Sequence, residues 1–525
     1  MPAEEEEKLD RFLSFLDDTG IGKVLEERHQ KAKPLGGRPD YDPCHMFAAV
    51  LLGFAYTSGS LRDIADACIY DMRFQYVLEG DRPGYRTFGS FINDYILPDR
   101  NRFLPLFTGK FFEKAGISSG LCFLDGTKVE ADCNRYKFVW KPVTWHRRKD
   151  ETIRGILLHF GLDTSDKKGF LTSDYVFETI AKLRKRQDKM VKKDRELVDK
   201  LEEFNLKVVE YEIKEAICGP SRKSYYKTDH DATAMCLKDD YYAGLGSSMH
   251  AAYNIQEVVS HGMILDCYVS QDRADYHAMI PCLEKFREDY GKLPQRICAD
   301  AGYGSEDNYA YLDANGVEAF VKYQEWEGEV SGRRPPVYQV SEDGNSIICL
   351  NGKTGLPVEI PDRHPKSPHS RFFEVKDCAG CPFMPYCHRY MKEKVTPTKV
   401  FEVNAVWKKY KQKARDRLLS PEGIETRVNR SIQVEGAFGI MKQDMGYDRF
   451  RRISLAKVSA EYILTALGFD TRKLMRFLRT GKMPRFWKAP EGLEAERVKK
   501  PSAKRLNKRA AKIRTKSVNE IAKKR

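Results

Sequence analysis

No stretch of this 525-residue chain approaches the roughly 18 consecutive apolar residues that a membrane-crossing helix needs. The candidate run, Met46–Tyr56, has eleven residues and reads as a core helix. A signal peptide is also lacking, since the chain begins MPAEEEEK. Both absences predict a soluble, cytoplasmic protein. There is no disulfide framework either. The 13 Cys stand mostly singly among apolar neighbours, as reduced buried thiols do, and only one cluster stands out. Acids are almost missing from the C-terminal end, where Lys499–Arg525 holds twelve Lys or Arg and a single acid, Glu520. That end therefore carries +11 of the formal +14 and leaves +3 for the rest. Such a segment reads as polyanion-binding, with nucleic acid ahead of membrane.

What is present is enough for several domains, with 41% hydrophobic residues to build their cores. Residues 1–112 read as short helices joined by tight turns, with Ser60 capping SLRDIADAC. That pattern suits a DNA-reading helical domain and equally a small helical bundle. From residue 119 the texture changes to a strand, GLCFLDGTKVEADC, with Asp125 in its middle. A carboxylate inside an apolar strand is costly unless it is paired or binds a cation. Residues 145–225 are highly charged. Two apolar rows spaced seven apart, Val176 to Tyr211 and Ile180 to Val208, predict a long helix or helical hairpin, with an ordinary surface helix as the plainer reading. A hairpin (HAAYNIQEVVS, MILDCYVSQ) and an amphipathic helix (Tyr276–Tyr290) follow. Then comes the stretch LPQRICADAGYGSEDNY. It reads as a short buried strand ending on Asp300, a glycine-bearing loop, and a helix capped by Ser305. The plainer reading is an Asp that only caps the next helix. After a last strand, VEAFVKY, residues 325–400 read as irregular, and a helix bearing Glu435 follows.

Strand, strand, strand, helix, strand, helix, strand, then an acid-bearing helix is the ribonuclease-H-like order. The expected fold is therefore α/β of the α+β multidomain kind. It comprises a helical N-terminal domain (1–112), a ribonuclease-H-like mixed-sheet core (119–325 and 400–480), a helical arm inserted at 145–225, a cysteine-rich insertion (326–399) and a basic tail (481–525). Asp125, Asp300 and Glu435 would meet at one end of the sheet. Three adjacent carboxylates do not all stay ionised without cations, and two Mg2+ ions satisfy them while leaving positions for water. Such a pair serves phosphoryl transfer, with Asp125 bridging and no His or Lys needed as base. Lys442, seven residues past Glu435, would hold a DNA phosphate. Asp231 is the candidate for a fourth acid. Asp132, Asp229, Asp272 and Asp275 read as capping or supporting groups. The cluster Cys378-x2-Cys381-x5-Cys387 suits one structural Zn2+, with Cys349 or His388 as fourth ligand; plain buried thiols are the alternative.

The segments LDGTKVEADCNRYKFVW, ADAGYGSEDNY and VEGAFGIMKQDMGYDRFRR, with the cysteine cluster and the early helical region, resemble bacterial insertion-sequence transposases of the DDE type, in particular the eleven-eighty-two family. The resemblance spans most of residues 40–475. It implies a ribonuclease-H-like core, Mg2+, the triad Asp125, Asp300 and Glu435, and a nucleoid-associated enzyme. It also implies double-stranded DNA as partner, with recognition of the inverted repeats at the element's ends and transfer of the liberated 3′-hydroxyl into target DNA; a homodimer on DNA is expected because two ends must be held together. One feature departs from the pattern. Relatives often carry an Arg four residues before the Glu, but here that position is Ser431 and the nearest arginines are Arg430 and Arg427. Arg430 is the one expected to meet DNA. The alternative to an active enzyme is a protein of the same fold that binds DNA without cutting it. A repair nuclease is disfavoured by the arm and the cysteine module.

Overall fold

The structure, a computed structural model, describes residues 1–32, 41–220, 222–237, 248–361, 363–389, 397–499 and 506–507. Helices α1 (Ala3–Asp18), α2 (Ile21–Ala32), α3 (Pro43–Tyr56), α4 (Leu61–Tyr70), α5 (Met72–Val77), α6 (Tyr85–Phe91) and α7 (Arg100–Ala115) come first. Their boundaries follow local chemistry. Asp42 accepts from the amides of Cys44 and His45 to start α3, and Ser60 accepts from Asp63 N to start α4. Helix α3 is apolar all round, and every residue from Met46 to Ala55 is buried. No single helix among the described residues is long and apolar enough to cross a membrane.

The central sheet is built from β1 (Leu121–Glu130), β4 (Thr233–Met235), β5 (His250–Ser260), β6 (Met263–Ser270), β7 (Arg296–Ala299) and β8 (Glu318–Val321). The spatial order is β6-β5-β1-β7-β8, with β4 beside the first part of β5. Strands β1, β7 and β8 run parallel, while β5 is antiparallel to β1 and β6 antiparallel to β5. Helices α11 (Met279–Tyr290) and α12 (Glu306–Ala314) make the crossovers that parallel strands require.

Two insertions interrupt the sheet. Between β1 and β4 lie a ribbon of β2 (Phe138–Trp140) with β3 (Ser224–Tyr226) and helices α8 (Val143–His159), α9 (Ser173–Arg184) and α10 (Lys192–Cys218). The three helices bury a small core of their own that includes Ile153, Leu157, Val176, Ile180 and Val208. The seven-residue rows hold in α9, but in α10 the buried line is Val198, Leu201, Asn205 and Val208; Leu197 and Phe204 are only half-buried. The turn at 185–191, with its 3-10 step Gln187–Lys189, shifts one row by a residue. The second insertion is not irregular. Five short strands, β9 (Tyr338–Val340), β10 (Ile347–Cys349), β11 (Thr354–Pro357), β12 (Ser370–Val375) and β13 (Lys399–Asn404), form an antiparallel sheet around Ile347, Phe373, Val375 and Val403.

The chain then returns to the main core through α13 (Ala405–Leu419), α14 (Pro421–Arg430) and its continuation to residue 444, and α15 (Leu455–Thr480). Helix α15 lies against α3 so closely that a Cβ on Gly468 would fall 2.6 Å from the carbonyl carbon of Phe54. One continuous apolar core joins α1, α3, the sheet and α15, with each fully buried large side chain contributing about 1.5–3 kcal/mol. Residues 481–499 have neither helix nor strand but are stitched to this core. Trp487 and Asn429 exchange hydrogen bonds of 3.1 and 2.9 Å, and Lys499 N donates to Val330 O at 2.9 Å. Most of the basic tail lies outside the described residues.

Candidate active site

Strands β1 and β7 pair in parallel with Leu124 opposite Ala299, so Asp125 and Asp300 follow side by side. Asp300 ends its strand and accepts from Gly302 N at 2.7 Å, which fixes the loop before α12. Ser305 caps that helix on Asn308 N. Asp300 thus caps only the 3-10 turn Ala301–Tyr303 and not the helix that follows, and it stands at the strand's carboxyl end beside Asp125.

Glu435 arrives from the other side, on the helical stretch 421–444. Arg430 joins it to β1, donating through Nη1 to Asp125 Oδ2 at 2.6 Å and through Nη2 to Glu435 Oε1 at 2.9 Å. Ser431 Oγ adds a 3.2 Å bond to the same Glu435 oxygen. The spacing of five is explained by the backbone. In an α-helix, residues five apart point about 140° apart. Here Ser431–Glu435 is a π-helical turn, whose wider coil carries one extra residue and returns position five to the same face. Arg430 thereby occupies the place that an arginine four residues before Glu435 would take in a regular helix. Lys442 Nζ donates to Lys128 O at 3.1 Å, farther along β1.

The three acids differ in setting. The Asp125 side chain keeps 15% of its accessible surface and Arg430 12%, whereas Glu435 keeps 56% and faces solvent. Burial pushes the Asp125 carboxyl up to about 6; the Arg430 guanidinium pulls it down and Asp300 pushes it further up. The guanidinium stands between Asp125 and Glu435. Among the described residues no three His, Cys, Asp or Glu side chains stand in an arrangement that would hold a metal ion.

That finding bears on the cysteines as well. Cys349, Cys378, Cys381 and Cys387 line one small apolar cavity together with His388. Cys349, Cys378 and Cys387 pack as thiols against the Ile347–Phe373 core, and burial pushes Cys387 up to about 11. The convergence predicted from spacing is present, but a ligating arrangement is not, so the structure gives zinc no support. Asp231 is not at the site either. Its Oδ2 accepts from Leu455 N at 2.8 Å to start α15, and Gln271 bonds its other oxygen.

Two features escape a reading by motif. Glu257 lies directly opposite Asp125 in the β1–β5 register and is fully buried. Tyr462 OH donates to its Oε1 at 2.7 Å, and burial pushes the carboxyl up to about 8. Its folded-state value lies above the ordinary 4.5, so the native state keeps a proton that the unfolded chain releases. This contribution is full below about pH 4.5 and is lost as pH rises toward about 8. The melting temperature of Glu257→Gln should therefore fall less between those limits than that of the native protein; parallel falls would rule out the buried acid as the cause.

The second feature lies beneath Gly126, on the face of β1 opposite Asp125. Asn254 and Gln256, both buried, donate to Asp275 Oδ1 at 2.8 and 3.2 Å, and Tyr303 OH donates to Gln256 Oε1. A Cβ on Gly126 would stand 2.7 Å from Gln256 Nε2 and 2.8 Å from Asp275 Oδ1. The network backs the strand at the residue after Asp125. Its signal in the sequence is the pair of amides two apart, on one face of an otherwise apolar strand.

Comparison with known families adds an independent finding. A family model described as a transposase DDE domain matches residues 348–475, and one described as a transposase domain matches residues 2–94. The first segment holds the four clustered cysteines, Arg430, Glu435 and Lys442; Asp125 and Asp300 lie outside both. No curated protein and no solved structure matches the chain. A transposase-domain match at each end supports an insertion-sequence DDE transposase.

Proposed function

We propose that this transposase cuts DNA at the inverted-repeat ends of its own insertion sequence and joins the freed 3′-hydroxyls to target DNA, using a ribonuclease-H-like core. The observation that carries this reading is the Asp125–Arg430–Glu435 bridge, with Asp300 beside Asp125, at one end of a sheet ordered β6-β5-β1-β7-β8. The donor set suits a hard divalent ion such as Mg2+, being all carboxylate with one guanidinium among three acids. Asp125, Asp300 and Glu435 would hold it once Arg430 moves aside, since they are not arranged to do so while the guanidinium stands between Asp125 and Glu435. When bound, such ions activate the attacking oxygen and stabilise the leaving one. The chain's own part is to release a carboxylate from Arg430, to hold DNA phosphates with Arg430 and Lys442, and to keep the strand end fixed over the Asp275 network. Two element ends must be held together, so the working form is a homodimer on DNA.

The test is duplex DNA carrying the repeats that flank the coding region. Nicking at the repeat boundary is expected with Mg2+ and not with chelator; binding without nicking would favour the non-cutting alternative.

The tail contributes affinity. Residues 508–525 hold eight Lys or Arg against Glu520. Their removal should weaken DNA binding and flatten its salt dependence while leaving cleavage at saturating protein intact. An unchanged salt slope would refute this role. The cut belongs after 507, because Leu506 is buried and Asn507 donates to Pro382 O at 2.8 Å.

A further inference from the structure

The chain leaves two of its five tryptophans in water, Trp140 at 56% and Trp145 at 63% exposure, while Trp326 is 3% exposed. Both exposed rings lie in residues 134–149, which run on from β1. This segment contains no acid, six cations (Arg135, Lys137, Lys141, Arg147, Arg148 and Lys149) and two more aromatics, Tyr136 at 75% and Phe138 at 41% exposure. The rings are arranged rather than scattered. Phe138 meets Trp140 edge-on at 5.4 Å, Arg148 lies 5.4 Å from the Trp145 ring, and Arg135 lies 5.0 Å from that of Tyr136. A groove between the ribbon and α10 is lined by both tryptophans with Lys141, Lys207, Lys214 and Lys227. Its acid, Glu210, is neutralised by ion pairs to Lys207 and Lys214.

We propose that this ribbon and groove form a stacking platform for unpaired bases at the DNA end being processed. The inference rests on the transposase reading. Cations interleaved with exposed rings match a chain that carries phosphates and flat bases in alternation, and each base offers a π-face only when it is out of the duplex stack. A second copy of the protein is a poor occupant, since a symmetric contact would set like charge on like. The location also fits. Asp125 and Glu130 lie on one continuous strand, about 17 Å apart at some 3.4 Å per residue, and the ribbon begins at Phe138, eight residues after Glu130.

The test compares a short oligothymidylate with a blunt duplex of equal length, using the full-length native protein, Trp140→Ala/Trp145→Ala and Trp140→Phe/Trp145→Phe. Oligothymidylate should quench the native protein's tryptophan fluorescence. By anisotropy, the alanine pair should lose about tenfold or more in affinity for it and no more than about threefold for the duplex, and the phenylalanine pair should recover most of the loss. Equal losses on both probes, no loss on either, or no binding of oligothymidylate by the native protein would each overturn the platform. Repeat-end nicking by the native protein, scored separately, reports on the transposase reading, so the failure of one is not mistaken for failure of the other.

Discussion

Asp125→Asn is expected to lower metal-dependent cleavage of element ends by about 10³-fold or more, equivalent to roughly 4 kcal/mol, without weakening the fold. The two halves of that outcome have one cause. Asn keeps the size of Asp, and although its single oxygen can replace only one of the two bonds that Asp125 accepts from Gly126 N and Arg430, Arg430 retains Glu435, so the packing survives. What it gives up is a charge that the folded protein finds costly, because burial pushes Asp125 from 3.8 to about 6. A raised carboxyl favours the native state at low pH and penalises it as pH climbs from about 4 through 6. At pH 8 the Asn variant should therefore melt no lower than the native protein, while its cleavage is gone. Thermal melting and a nicking assay on the same preparation decide the matter. Cleavage retained near native rates would remove Asp125 from the site, and a collapsed melting point would make its role structural.

Arg430→Gln should show the converse. With the guanidinium gone, ionised Asp125 is left mostly buried with no cation beside it and Gly126 N as its remaining donor, a cost of up to about 3 kcal/mol. The pairing matters only where Asp125 is charged, so the melting point should drop by several degrees at pH 8 and hardly at all at pH 5, below the carboxyl's value of about 6. Mn2+ should then raise the melting point of the variant more than that of the native protein, because no guanidinium competes for Asp125 and Glu435. A pH-independent drop, or an equal response to Mn2+, would show that Arg430 does not stand in for a cation at this position.

The strand-borne acids are legible in the sequence because their context is local: an apolar run, a carboxylate, then glycine, as in LDG and ADAG. The crossover helices and β8 are legible for the same reason, since period and caps lie within a dozen residues. Arg430 looks misplaced because counting by fours assumes an α-helix, and nothing in SIQVE announces a π-turn. The five strands of the second insertion read as irregular because each has only three to six residues and glycine or proline lies close by. Glu257 is visible as a letter in a strand, but its pairing with Tyr462 crosses 205 residues and belongs to tertiary structure alone. The same holds for Asp231, whose partner is the start of α15.

The packing of α3 on α15 has a consequence for biosynthesis. Tyr56 leaves the ribosome some four hundred residues before Leu455, about 20–80 s earlier at roughly 5–20 residues per second. During that time the apolar face of α3 lacks its final partner. A nascent chain that stops short of α15, through a frameshift or a premature stop, should therefore not persist as a compact DNA-binding fragment that competes with the whole enzyme at the element's ends. It should instead enter the pool of exposed, aggregation-prone chains cleared by chaperones and proteases. Damage late in the reading frame would then silence a copy of the gene without turning it into an inhibitor of intact copies.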